Sequence, residues 1–300
     1  MKHLHRTIVA ILLTGILMAS CEEIKFVEIN DYNKKLVLNG ILEPDLGLWV
    51  NVTESVSATT RFANSFKPVE DALVCIYYSD SMVTYITEND RGNYLTTGFH
   101  PLEGETYRIE VTAGGLPTVA STVSIPQMVE IVDYEFTTIE MPDHYGEDYY
   151  NEGEVIFFTR ITFIDPPEEG NHYMLGAYYL EEERYIPLQL DIEDMDVNVY
   201  ILDGIGVVAC NDQNFNGNEK ELTATFRMSK PDGFNTVILL TLYSIEKSFF
   251  DYLKSYSQNF TVLNEDMILF EPVEVSTNIR EGFGIISGVT SSAVTFEYEF

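Results

Sequence analysis

Across 300 residues and 34.1 kDa, 48 Asp and Glu face 17 Lys and Arg, a formal charge of −31. Binding phosphate backbones needs clustered cations, so nucleic acid is excluded as a partner class. With 45% hydrophobic and 13% aromatic residues the chain has the apolar surface to fold, and its length accommodates two domains of roughly 100–200 residues.

Residues 1–21 read MKHLHRTIVAILLTGILMASC: cations at Lys2 and Arg6, an apolar run from Ile8 to Ala19, then Ser20 and Cys21. The run is shorter than the ~20 residues a membrane-spanning helix needs, so 1–20 read as a secretion signal. A cysteine directly after Ala19-Ser20, with Leu17 and Met18 before them, resembles a bacterial lipobox. Small residues let a peptidase close on the backbone, and the new N-terminal thiol of Cys21 would carry diacylglycerol. Acyl chains contribute about 0.8 kcal/mol per buried methylene, and more than one gives durable attachment. Removing 1–20 leaves 15 cationic side chains against 48 acids, a formal −33. Residues 21–34 form the acylated tether, and its Glu22 and Glu23 resemble the acidic export tag of Bacteroidetes surface lipoproteins. The expected location is therefore the outer membrane, lipid-anchored and facing the cell surface.

From residue 35, short alternating apolar runs are broken by Gly, Pro, Asn and Asp, the pattern of antiparallel strands. Strands are expected at 35–42, 48–55, 72–79, 82–87, 92–97, 106–113 and 119–125, with turns at Asn89-Asp90-Arg91-Gly92 and Glu103-Gly104-Glu105. Seven strands in this span predict a β-sandwich over 35–126. The order of Val69-Glu70-Asp71-Ala72, Asp90-Arg91-Gly92-Asn93-Tyr94 and Pro101-Leu102-Glu103-Gly104-Glu105-Thr106-Tyr107 resembles transthyretin-like or carboxypeptidase-regulatory-like modules. Such a resemblance implies an Ig-like binding or spacing unit without catalysis, and fold alone does not assign function.

Past Ile125-Pro126 the composition shifts: residues 35–125 hold 11 acids and 5 bases, residues 126–300 hold 33 and 8. The second domain, 127–300, is again expected to be antiparallel and β-rich, with strands at 154–164, 172–180, 198–209, 221–228 and 236–244 and a closing strand at 293–300. Between them Phe249, Phe250, Leu253 and Tyr256 recur at helical spacing, with Ser244 as N-cap and Glu246 in the first turn, which predicts an amphipathic helix over 245–258 packed on the sheet. The glycines between Asn278 and Gly288 predict a tightly turned segment where backbones approach closely. Cys75 and Cys210 fall in different expected domains, so buried free thiols are expected before a disulfide.

Catalytic signatures are sparse. Beyond the signal the histidines are His100, His144 and His172, none with His or Cys at metal-ligand spacing, and no nucleophile elbow, phosphate loop or dinucleotide fingerprint occurs. No catalytic residue, resident cofactor or enzymatic activity is therefore expected. Asp212, Asn214, Asn216 and Gly217 fit positions one, three, five and six of a calcium loop, but Lys220 and Thr223 stand where further oxygen ligands are needed. A hairpin turn through Asn216-Gly217 explains the same residues. Asp191, Glu193, Asp194 and Asp196 read as a solvated loop or strand face. Tyr145, Tyr149 and Tyr150, in a loop from Met141 to Gly153, are candidate partner or ligand contacts, because tyrosine offers broad amphipathic contact at low entropy cost. Glycan platforms often use tryptophan, and the only one is Trp49, in an expected strand.

The stretches Phe249-Phe250-Asp251-Tyr252-Leu253-Lys254-Ser255-Tyr256, Phe270-Glu271-Pro272-Val273 and Ser276 to Gly288 join the lipobox, Leu36-Val37-Leu38-Asn39-Gly40 and the Asp212 to Gly217 turn in a wider likeness. Together they resemble the Bacteroidetes lipoprotein family catalogued as domain of unknown function 4249. The resemblance implies an outer-membrane lipoprotein often encoded beside a TonB-dependent transporter, hence a non-catalytic accessory or binding component in nutrient uptake. A stand-alone structural or adhesion lipoprotein of the envelope is the alternative. The expected partners are the membrane, through the lipid, and that transporter; the ligand, whether small molecule, peptide or glycan, is not specified by these residues.

Overall fold

A computed structural model of the chain describes residues 33–57, 66–140, 154–192, 197–202, 205–229, 235–264 and 273–299. The first hairpin pairs β1 (Leu36–Glu43) with β2 (Gly47–Glu54), and alternation decides its two faces: Leu36, Leu38, Leu42, Leu48, Val50 and Val52 are wholly buried on one side. There follow β3 (Lys67–Pro68), β4 (Leu73–Tyr78), β5 (Ser81–Ile86), β6 (Asn89–Asp90), β7 (Asn93–Leu95), β8 (Thr106–Thr112) and β9 (Val119–Ser124). The turn from β6 to β7 has Arg91 and Gly92 both at positive φ, as the Asn89 to Gly92 sequence requires. Tyr94, fully buried, donates to the Val69 carbonyl at 2.8 Å and accepts from the Ala72 amide at 3.0 Å, tying the entry to β4 onto β7.

The chain continues through β10 (Ile131–Glu140), β11 (Glu154–Ile164), β12 (His172–Glu181), β13 (Arg184–Leu188), β14 (Asn198–Leu202), β15 (Ile205–Asn211), β16 (Glu219–Ser229) and β17 (Asn235–Ile245) to helix α1 (Lys247–Asn264) and β18 (Phe283–Glu299). Among the described residues one long sheet runs in the order β14-β15-β12-β17-β18-β1-β2-β7-β6, with β13 beside β12 and β3 beside β2. Two smaller sheets, β5-β4-β8-β9 and β10-β11-β16, accompany it. The protein is thus mainly β, in largely antiparallel sheets, with one α-helix among the described residues.

Buried side chains fall into two large clusters and a third small one. The first draws on β1, β2, β4, β7, β8 and β9, and also on Ile279 and Ile286; the second on β11, β12, β15, β16, β17 and Phe296 of β18. Ile286 and Phe296 belong to the same alternate set along β18, so both small sheets pack on one face of the long sheet. The intervening set, Ile285 and Val289, points the other way and joins Phe249, Phe250 and Leu253 of α1 in the third cluster.

Four sequence expectations change. Residues 198–209, read as one strand, are the hairpin β14–β15. Ser244 does not cap the helix: it lies buried in β17, and α1 starts at Lys247 after Glu246, whose carbonyl accepts from the Phe249 and Phe250 amides. The glycine-rich segment is only partly a turn, because residues 283–288 already form β18, paired in parallel with β1. The close approach itself holds: a Cβ on Gly284 would fall on the Leu38 carbonyl oxygen, and one on Gly288 on that of Ser124. Finally, β3, β10 and β13 are strands where none was expected.

Candidate functional site

Asp212 and Asn216 of the calcium-loop pattern are tied to backbone groups of the 165–171 loop. Asn211 caps a single 3-10 turn at Asp212–Asn214, its side chain accepting from the Gln213 amide. The Asp212 carboxylate, 4% exposed, accepts from the amides of Gly170 and Asn171 at 2.7 and 2.8 Å. Its neighbour Asp165 is equally buried, accepting from the Gly217 amide at 2.8 Å and from the Tyr173 hydroxyl, whose pKa is raised chiefly by burial and then by that hydrogen bond. Two buried carboxylates fed by amides staple the 165–171 loop to the 211–218 turn. Among the described residues no group of three or more His, Cys, Asp or Glu could hold a metal ion.

Other expected sites disperse. Cys21, His144, Tyr145, Tyr149, Tyr150, Glu193, Asp194 and Asp196 lie outside the described residues. Cys75 and Cys210 are both buried and are not joined in a disulfide. His100 is exposed beside the Pro44 carbonyl at 3.1 Å, whereas His172 is buried against the Phe250 ring with Nδ1 unpartnered, and burial lowers its pKa.

Three of the recesses on the described surface bear on function. One of about 340 Å³ lies on β10-β11-β16, where Arg160 is already bound to Glu135 and Glu221 at 2.8 and 2.6 Å. A second, about 280 Å³, lies between Ser124–Val129 and the start of α1 and includes His172 and Glu246. There Glu246 accepts from the amides of Ser124 at 2.7 Å and Gly288 at 3.0 Å; burial raises its pKa and these bonds oppose the rise. Its carboxylate therefore pins three elements, β9, β18 and the start of α1, which is a structural task.

The third recess, about 270 Å³, opens on the outer face of β1 and β2 and is lined by Val37, Asn39, Asn51, Thr53, Phe66, Pro68 and Arg91. Strand register builds this face. Asn39 pairs with Asn51, and Asn51 with Asn93, so three amides form one row across β1, β2 and β7. Asn51 Nδ2 donates to Asn93 Oδ1 at 2.9 Å, and Asn93 Nδ2 to the Asp90 carbonyl at 3.0 Å. Two residues along each strand, about 6.8 Å away, the next row is Ile41, Trp49 and Leu95, exposed by 37%, 42% and 52%. Phe283, 45% exposed with the Lys35 ammonium over its ring, extends the face onto β18. Large apolar side chains lying open in register on a rigid sheet constitute a contact surface, and it is the candidate functional site. Trp49 stands out in the sequence as its only tryptophan; the asparagine row does not, because only register aligns it.

Comparison with known proteins adds a family. The domain of unknown function DUF4249 matches residues 22–294. No curated protein matches. Among solved structures, similar ones include AggA, the major subunit of aggregative adherence fimbriae type I from Escherichia coli, at 12% identity over 58% of this chain and 97% of that one, TM-score 0.26. The collagen binding domain of the Erysipelothrix rhusiopathiae surface protein RspB shares 10% identity over 88% and 96% of the two chains, TM-score 0.23. The collagen adhesin CNA from S. aureus shares 10% over 89% and 95%, TM-score 0.23. Likenesses this remote carry no argument about function.

Proposed function

We propose, for a chain that belongs to the DUF4249 family, the role of a lipid-anchored outer-membrane lipoprotein that serves as a non-catalytic accessory or binding component of a TonB-dependent transporter. The observation that carries this reading is the open face around Trp49: a rigid sheet, backed by a filled core, offering aromatic and apolar side chains outward. Cys21 at the end of a lipobox supplies the attachment, and the residues after it supply a tether. The surplus of acids favours basic partner faces, so the association weakens as salt rises.

Gentle detergent extraction of native outer membranes, capture through a C-terminal tag and mass spectrometry test the reading. A stoichiometric β-barrel transporter is the expected companion. Capture of this protein alone, under conditions where other membrane complexes survive, overturns the accessory role and favours a stand-alone structural or adhesion lipoprotein. Cys21→Ala is expected to leave the membrane fraction with its fold intact; retention after carbonate washing refutes the lipid anchor.

A further inference from the structure

We infer that the outer face of β1, β2 and β7 is a binding site for a neutral oligosaccharide chain, with Trp49 stacking on a sugar face and the amides of Asn39, Asn51 and Asn93 pairing with its hydroxyl groups. The inference rests on the reading of the protein as a binding component and names the class of ligand bound.

Three observations converge. First, asparagine is depleted in strands, yet three stand in one row across three adjacent strands. A side-chain amide both donates and accepts, as a sugar hydroxyl does, so neighbouring hydroxyls can meet it in both senses. The Asn51–Asn93 hydrogen bond holds two of these amides in a fixed orientation before any ligand arrives. Second, Trp49 lies open in the next row, flanked by Ile41 and Leu95, so an aromatic platform adjoins the polar row. A sugar has this same split character, with C–H faces and hydroxyl edges. A wholly apolar protein surface covering the face would instead bury the amide row without partners.

Third, the charge is wrong for an ionic ligand. In a chain of −31, the residues lining the recess include no carboxylate and one cation, Arg91. A cation finds no counter-charge at the recess, and a polyanion is repelled by the molecule as a whole. A neutral, hydroxyl-rich chain fits what remains.

The protein itself provides the probe, since Trp49 is its only tryptophan and selectively excited tryptophan emission reports on this face alone. Full-length lipoprotein in detergent micelles is mixed with xylan, mixed-linkage glucan or galactomannan, with polygalacturonate as the charged control, and run in affinity gels containing the same polymers. At least one neutral polymer is expected to shift the emission and retard migration. Trp49→Ala should abolish the retardation and Asn51→Ala weaken it about tenfold, with unchanged thermal unfolding. No response to any neutral polymer, a response to polygalacturonate alone, or equal retardation of Trp49→Ala overturns the assignment. Capture of the transporter from membranes carrying Trp49→Ala separates the two readings. Capture in full yield beside lost retardation supports a saccharide site. Lost capture with no polymer response overturns it and makes this the transporter-docking face. Retardation without any transporter upholds the saccharide site and removes the accessory role.

Discussion

One side of the long sheet has two fates. Over β14, β15, β17 and β18 it is roofed by α1, whose Phe249, Phe250 and Leu253 close on Tyr200, Ala209, Ile245, Ile285 and Val289. A few strands further, over β1, β2 and β7, the same side lies open, with Trp49, Ile41 and Leu95 facing outward and three asparagines in line beside them. The residues differ accordingly. Beneath the helix the outward positions, His172 apart, are mainly aliphatic and aromatic and can be dried at little cost. On the open side the amides must keep water or a ligand that replaces it. A face that mixes amides with an exposed indole is therefore built for a cover that comes and goes.

The comparison is broken most forcefully under the helix. Leu253→Ala removes a side chain with no exposure and should destabilise the protein by about 2–5 kcal/mol in urea unfolding. A loss near zero would mean that α1 does not depend on its roofed contacts. Glu246→Gln keeps one acceptor and sets an NH2 against one of the two amides that Glu246 serves, so about 1–3 kcal/mol should be lost. Burial raises this pKa above 4.5, so the group's contribution is full below 4.5 and falls as pH rises through the raised folded value. Wild type should thus lose stability relative to Glu246→Gln as pH rises through that value, which melting at a series of pH values reads directly.

His172 titrates the opposite way. Burial lowers its pKa from 6.5, so stability is full above 6.5 and declines as pH falls toward the lowered folded value, with Asp212 and Asp251 opposing the shift and Lys247 adding to it. His172→Phe should flatten that acid limb while keeping an aromatic ring against Phe250; an unchanged acid slope would assign the limb to other groups. Smallest of all, Leu95→Ser on the open side should alter stability by no more than about 0.5 kcal/mol. A larger loss would show that this face is covered in the isolated protein.

Much of this architecture can be read from the residues alone, and the exceptions share a cause. Strands with one buried face, such as β1, β2, β8 and β11, announce themselves by alternation. β10 escapes because it is an edge strand exposed along most of its length, with no buried face to mark it. The hairpin β14–β15 passes for one strand because its apolar content continues on both sides of the turn. Ser244 looks like a helix cap, but register in β17 overrides the local signal. Glu246 reads in sequence as a first-turn helix residue, whereas its amide partners lie 122 and 42 residues away. The open face was hidden for the same reason: Asn39, Asn51 and Asn93 are unremarkable until three strands align them.

The parallel pairing of β1 with the first residues of β18 carries a consequence in time. Leu38 meets Gly284 and Gly40 meets Ile286, so the first strand of the fold waits for nearly the last segment to be synthesised. Contacts so distant along the chain close late and slowly. A nascent chain ending before Phe283 leaves β1 with one neighbouring strand, β2, and the first core without Ile286. This ordering makes the first core one of the last parts of the fold to close.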